Sequence, residues 1–222
     1  LGEYAYKYLK GIEKNPSLIL GLATGKTMVP FCKELTKFAK KKKINFSKIK
    51  TFNLDEYYGE DIDSSKRLRH YMNKKFFNKV NLKKENISFL DGANPNWKKE
   101  CKNYEARIKE AGGIGLQILG IGRNGHIGFN EPGSSFNSST RKVKLSKETR
   151  KANSEFFSAK EVPKYALTMG IKNIMEAKKI LLLATGKEKR LAIRQTFFGK
   201  INKKFPATIL RKHKNFTAVV DE

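Results

Sequence analysis

The chain has 222 residues and a mass of 25.3 kDa, and with 39% hydrophobic residues it can bury the core of a single domain. Its formal net charge of +26 invites a nucleic-acid partner, but the excess is mostly lysine and spread along the chain, as at Lys40 to Lys43, Lys98–Lys99 and Lys203–Lys204; without arginine forks or aromatic stacking platforms, no specific nucleic acid is expected. No apolar run approaches the roughly 18 residues of a membrane span, and Cys32 and Cys101 have no metal or redox spacing, so they read as buried free thiols in a reducing, cytoplasmic compartment.

The chain starts at Leu1 without a methionine, and an upstream segment is expected to be missing. Leu1 to Glu13 reads as a helix with an aromatic face, broken by Pro16. Ser17 to Leu22 reads as a short apolar strand. It ends in Ala23-Thr24-Gly25-Lys26-Thr27 before a helix from about Pro30 to Lys41. Strand, glycine turn and helix start form an anion-binding arrangement, because free N–H groups and the helix dipole point at the ligand. A nucleotide P-loop is rejected: it needs four residues between its glycines, and Gly21 and Gly25 leave three.

Ile49 to Leu54 is the next strand, running into Asp55-Glu56-Tyr57-Tyr58-Gly59. Two acids there are either a solvated turn or a general base. A helix is expected over Arg67 to Val80, with Leu68, Tyr71, Met72, Phe76 and Val80 on its buried face. A short strand, Ile87 to Leu90, comes before Trp97, read as a lid over the core edge, and a polar helix ending at Gly112-Gly113.

Leu116 to Ile121 then enters the stretch G-I-G-R-N-G-H-I-G-F-N-E-P-G at 120–133. Glycines let the backbone turn tightly. They present His126 with a carboxylate, Glu131, five residues on, which is placed to orient the imidazole. Downstream, strands are expected at Lys142 to Leu145, Tyr165 to Met169, Lys179 to Ala184 and Phe216 to Val220. Helices are expected at Thr149 to Phe157, Ile171 to Ala177, up to Phe198, and at Pro206 to Leu210. The motif L-A-T-G-K occurs at 22–26 and again at 183–187, so two such loops at one sheet edge could hold one anion between them. Alternating strands and helices predict an α/β fold, a doubly wound, mostly parallel sheet with helices on both faces, and catalytic loops at the strands' carboxyl ends.

Of three histidines, His70 reads as a surface residue and His213, between lysines, as solvated; only His126 sits in a glycine loop beside an acid. No metal site is expected, for want of closely spaced ligands, and no Ser-His-Asp triad, for want of a nucleophile elbow. Acid–base chemistry remains. Asp55 would move a proton on carbon, His126 steered by Glu131 would serve a ring oxygen, and Thr24, Gly25, Thr27 and a late lysine would hold a phosphate. That set suggests an aldose–ketose type of reaction on a phosphosugar without a cofactor.

The segments L-G-L-A-T-G-K-T at 20–27, T-F-N-L-D-E-Y at 51–57, the stretch at 120–133 and V-P-K-Y-A-L-T-M-G at 162–170 resemble the glucosamine-6-phosphate deaminase family, related to the 6-phosphogluconolactonases. The resemblance implies a single Rossmann-like domain of phosphosugar isomerase type over 1–222, lacking a first strand at its start. It implies conversion of glucosamine 6-phosphate and water to fructose 6-phosphate and ammonia, with a deaminase for another amino-sugar phosphate, a lactonase or a catalytically weak sugar-phosphate binder as alternatives. It assigns the C2 proton to Asp55 and ring opening to His126 with Glu131, beside the uncharged Asn124. Phosphate falls to Thr24, Gly25 and Thr27 with Lys189, the nearby Lys187 being excluded. Lys26 stands where the family has a small residue, and Glu155 where it has a phosphate-binding arginine, so a charge exchange is expected in which Lys26 serves the phosphate. Arg67-Leu68 replaces a usual Ser-Tyr pair. Ser134, Ser135 and Arg141 match part of an allosteric cluster whose lysine is here Val143, so regulation by an N-acetylated sugar phosphate is not expected; a homo-oligomer is allowed.

Overall fold

The computed structural model describes residues 18–42, 44–61, 64–154 and 162–221. The helix expected at the start and Glu155, with the charge exchange that involves it, lie outside these residues. Six strands form one fully parallel sheet, β1 (Ile19–Leu22), β2 (Lys50–Asn53), β4 (Ile87–Ser88), β5 (Leu116–Gly120), β8 (Ile180–Ala184) and β9 (Phe216–Val220), in the order β4-β2-β1-β5-β8-β9. All five residues of β8, I-L-L-L-A, are buried. Both faces of the sheet are therefore covered at its centre, as in doubly wound folds.

Helix α1 (Met28–Lys42) is held by one stripe. Met28, Phe31, Cys32, Leu35 and Ala39 are all buried and recur at helical spacing, while Lys33, Lys37, Lys40 and Lys41 take the water side. The expected long helix after Arg67 is shorter. Helix α2 covers Leu68–Lys75, and Phe76, at φ −139, turns the chain into a 3-10 turn. Packing overrides propensity here: Phe76 is fully buried, edge-on to Phe46. Helix α3 (Trp97–Glu110) starts on an Asn96 cap, whose Oδ1 accepts from the Lys99 amide at 3.1 Å. Its Tyr104 is fully buried and donates to the Asn53 carbonyl at 2.6 Å, tying α3 to the end of β2.

One feature departs from the expected sheet. The chain leaves the parallel sheet at Leu54 and at once begins β3 (Asp55–Tyr58) in a second, antiparallel sheet, with β6 (Arg141–Lys144) and β7 (Tyr165–Thr168), in the order β3-β7-β6. Leu54 is the joint: its amide donates to Leu22 of the large sheet, and its carbonyl accepts from Met169 beyond β7. Helices α4 (Lys147–Ser154), α5 (Ile171–Met175) and α6 (Arg190–Phe198) complete the order. Cys32 and Cys101 are buried free thiols, as expected. His213 is not simply solvated: Nε2 lies 2.7 Å from the Ala177 carbonyl, and Nδ1 accepts from the Asn215 amide. Among the described residues no helix is long and apolar enough to cross a membrane.

Candidate active site

Strands β1, β5 and β8 are neighbours, so the loops that leave their carboxyl ends meet at one sheet edge. The β1 loop turns at Gly25, at φ 111, a conformation side chains resist. It puts Thr27 in the wall between the two repeated loops: Thr27 Oγ1 is 3.2 Å from Thr185 Oγ1 and accepts from Lys189 Nζ at 2.9 Å. The sequence echo is thus a physical pair. Lys189 is half-buried and Lys187 is exposed. Burial lowers the Lys189 pKa and nearby Glu188 and Asp221 raise it, while Arg123 and Lys26 add like charge that lowers it again. Lys189 is thus repelled by two further cations, Arg123 and Lys26, a repulsion an anion would relieve. Asp221 fixes the second loop by accepting from the Gly186 amide at 2.8 Å.

The β5 loop carries the acid–base group. A Cβ on Gly122 would stand 2.2 Å from His126 Cε1, so only glycine lets the imidazole fold back over the loop's start. His126 Nδ1 is 2.8 Å from Asn124 Oδ1 and 3.6 Å from Glu131 Oε2, and Asn124 Nδ2 donates to the same Glu131 oxygen at 2.9 Å. Asn124, which carries no charge, makes the direct contact, and Glu131 supplies the charge behind it. With Asn124 Oδ1 as acceptor, Nδ1 carries hydrogen and Nε2 is left for chemistry. The second Glu131 oxygen accepts from the Thr149 hydroxyl, and from Ser146 Oγ at 3.3 Å. Burial alone would raise the Glu131 pKa, but hydrogen bonds and charge from His126, with Thr149 and Asn124, bring it down to about 2.

The pair Asp55-Glu56 is no solvated turn: the residues are 4% and 0% exposed. Asp55 Oδ2 lies 3.6 Å from where a Cβ of Gly128 in the β5 loop would stand, and its buried Oδ1 has no hydrogen-bond partner among the described residues. Burial, with the Glu56 charge added, pushes the Asp55 pKa up to about 8. A carboxyl that holds a proton near neutrality and keeps one oxygen unspent has the properties of a general base for carbon acids.

Residues 3–219 match the model of a family described as glucosamine-6-phosphate isomerases/6-phosphogluconolactonase. The chain belongs to that family. A glucosamine-6-phosphate deaminase of Clostridium acetobutylicum is 50% identical over 205 residues, 92% of this chain and 85% of the relative. One of Thermoanaerobacter pseudethanolicus is 48% identical over 214 residues, 96% of this chain and 85% of the relative. A solved monomeric glucosamine-6-phosphate deaminase superposes with a TM-score of 0.96 at 40% identity, over 100% of this chain and 92% of its own. The 6-phosphogluconolactonase of Thermotoga maritima shares the fold at a TM-score of 0.77 and 23% identity, over 99% and 92% of the two chains.

In this family member the loops bring together Thr27, Lys189 and the Lys26 charge on one side, and Asn124, His126, Glu131 and Asp55 on the other. Thr24 and Gly25 line the turn between β1 and Thr27. Three contributors were not anticipated. Thr149 and Ser146 hold Glu131, and Thr168 accepts from the Phe129 amide at 3.1 Å beside Asp55. Ser146 had a legible signal: it opens α4 as a serine cap, accepting from the Thr149 amide at 3.1 Å. Thr149 and Thr168 act through tertiary contacts that no local pattern announces.

Proposed function

We propose that the chain is a glucosamine-6-phosphate deaminase, an enzyme of amino-sugar catabolism that converts glucosamine 6-phosphate and water to fructose 6-phosphate and ammonia. Thr24, Gly25, Thr27, Lys26 and Lys189 bind the phosphate. His126, protonated and stabilised through Asn124 by Glu131, gives a proton from Nε2 to the ring oxygen and opens the pyranose. Asp55, as carboxylate, takes the proton from C2, leaving an enolamine, and returns it to C1. The resulting iminium at C2 adds water and expels ammonia, so the proton that Asp55 takes is the one it gives back and no redox partner is needed. The 40% identical monomeric relative favours a monomer over the homo-oligomer that the sequence allowed.

The observation that carries this reading is the buried Asp55, with an unspent oxygen, set against the His126 loop in a chain about half identical to named deaminases. Fold alone does not choose, because the lactonase shares it. The test is release of ammonia and fructose 6-phosphate from glucosamine 6-phosphate. Wild-type protein is expected to release both, and Asp55→Asn to be slower by about 10²- to 10⁴-fold. Wild-type protein that releases no ammonia overturns the assignment.

A further inference from the structure

Glu56, the second acid of the pair, is fully buried and its carboxylate is committed. Oε1 accepts from the amides of Tyr57 at 2.9 Å and Leu68 at 2.7 Å; Oε2 accepts from the Arg69 amide at 3.0 Å and lies 3.4 Å from Arg67 Nε. Successive side chains of a strand point to opposite faces, so Glu56 turns from the site toward the N-terminus of α2. Helix α2 has no side-chain cap of its own; Glu56 of β3 caps it from another element. Arg67, 3% exposed, lies between Glu56 and Asp91, whose Oδ1 is 3.4 Å from its Nη2.

We propose that Glu56 and Arg67 are positioning residues for the reaction: Glu56 staples the Asp55 strand to α2 and holds a fixed negative charge behind Asp55, and Arg67 keeps that charge in place. The proposal rests on Asp55 being the base of the deaminase reaction. Burial raises the Glu56 pKa on balance, and Arg67 with the three amides opposes that rise, so these four groups are what favour a charge there. The other groups coupled to Asp55 are Tyr57 on its own strand and Tyr104 of α3, and Arg141 of β6 lies across Thr168 from it. Burial pushes both tyrosine hydroxyls up, so they stay neutral. Arg141 is turned to Asn130 Oδ1 at 2.8 Å and Ser134 Oγ at 3.2 Å. Glu56 is the charge that acts on Asp55 beyond its burial.

Glu56→Gln removes the charge while its one amide oxygen can still accept from the Tyr57 and Leu68 amides, so most of the cap is kept and only the Arg69 amide loses its acceptor. The acid limb of kcat/KM and the ¹³C-carboxyl titration of Asp55 in the free protein are both expected to move down by about one pH unit. Glu56→Asp, which keeps the charge, should titrate near wild type. If Glu56→Gln does not fold, Glu56→Gln/Arg67→Met removes the buried pair without stranding either charge, and should show the same downward shift. An Asp55 titration unmoved in the folded variant overturns the proposal, even where kcat falls, because a purely structural cap lowers rate without moving the midpoint. Failure of the deaminase reading would show separately, as wild-type protein that releases no ammonia while the Asp55 titration still responds to Glu56.

Discussion

In the proposed reaction Asp55 must be ionised when substrate arrives yet basic enough to pull a proton from carbon, and burial supplies the basicity. Its cost falls on stability. The carboxyl titrates at about 8 in the fold against 3.8 in water, so between those values the native state keeps a proton that the unfolded chain releases, and stability falls as pH rises through that window. Below about pH 4 this contribution is fully present, and above about pH 8 it is gone. Asp55→Asn is therefore expected to lose activity but gain stability relative to wild type at pH 8, with a flatter dependence between pH 5 and 8, as measured by urea unfolding. Equal slopes for the two proteins would contradict the burial argument. Glu131 runs the other way. Its pKa of about 2, against 4.5 in water, gives stability that is present above pH 4.5 and is lost as pH falls toward 2. Glu131→Gln should cost about 1–3 kcal/mol at pH 6, a difference that narrows below pH 4.5 and closes only near pH 2.

The elements show what could be read in advance and what could not. Strands β1, β5 and β8 stood out because each is an apolar run feeding a glycine loop, and β9 falls at Phe216–Val220 as expected. The small antiparallel sheet was hidden. Strands are expected at R-K-V-K and Y-A-L-T but not at D-E-Y-Y, whose pairing with β7 joins Asp55 to Thr168 across more than a hundred residues. Nothing after Leu54 marks a change of sheet: the strand is expected to end there in a turn or a general base, where the chain in fact begins β3. The site was legible where one loop carries it, as with His126 and Glu131. It was not where α4 reaches back: Thr149 binds Glu131, and Asn153 Nδ2 donates to the Tyr57 hydroxyl at 3.0 Å, so α4 touches both the His126 and Asp55 sides. Thr149→Val keeps the shape and removes the hydroxyl. Loosening the Glu131 charge behind His126 should lower kcat about tenfold, the scale of one lost charge-assisted hydrogen bond, and leave KM nearly unchanged, because the phosphate loops are untouched. A change confined to KM would place Thr149 in binding instead.

At the scale of the whole molecule, the +26 charge has a role that requires no nucleic acid. Of the acids that offset the bases, Asp55, Glu56 and Glu100 are buried and Glu131 is committed to His126, so the outward field is more cationic than the formal count suggests. In the proposed reaction a phosphosugar dianion would approach this field, and the cations at Lys26, Arg123 and Lys189 would give its phosphate a local end point. Such steering weakens as salt shortens the screening length from about 30 Å at 0.01 M to about 8 Å at 0.15 M. Raising ionic strength over that range with sodium chloride at pH 8 should therefore raise KM for glucosamine 6-phosphate several-fold and leave kcat within error, since the proton transfers at Asp55 and His126 occur inside a site that salt does not reach. A salt-independent KM would assign binding to the loop contacts alone, and the lysine-rich surface would then have no part in catalysis.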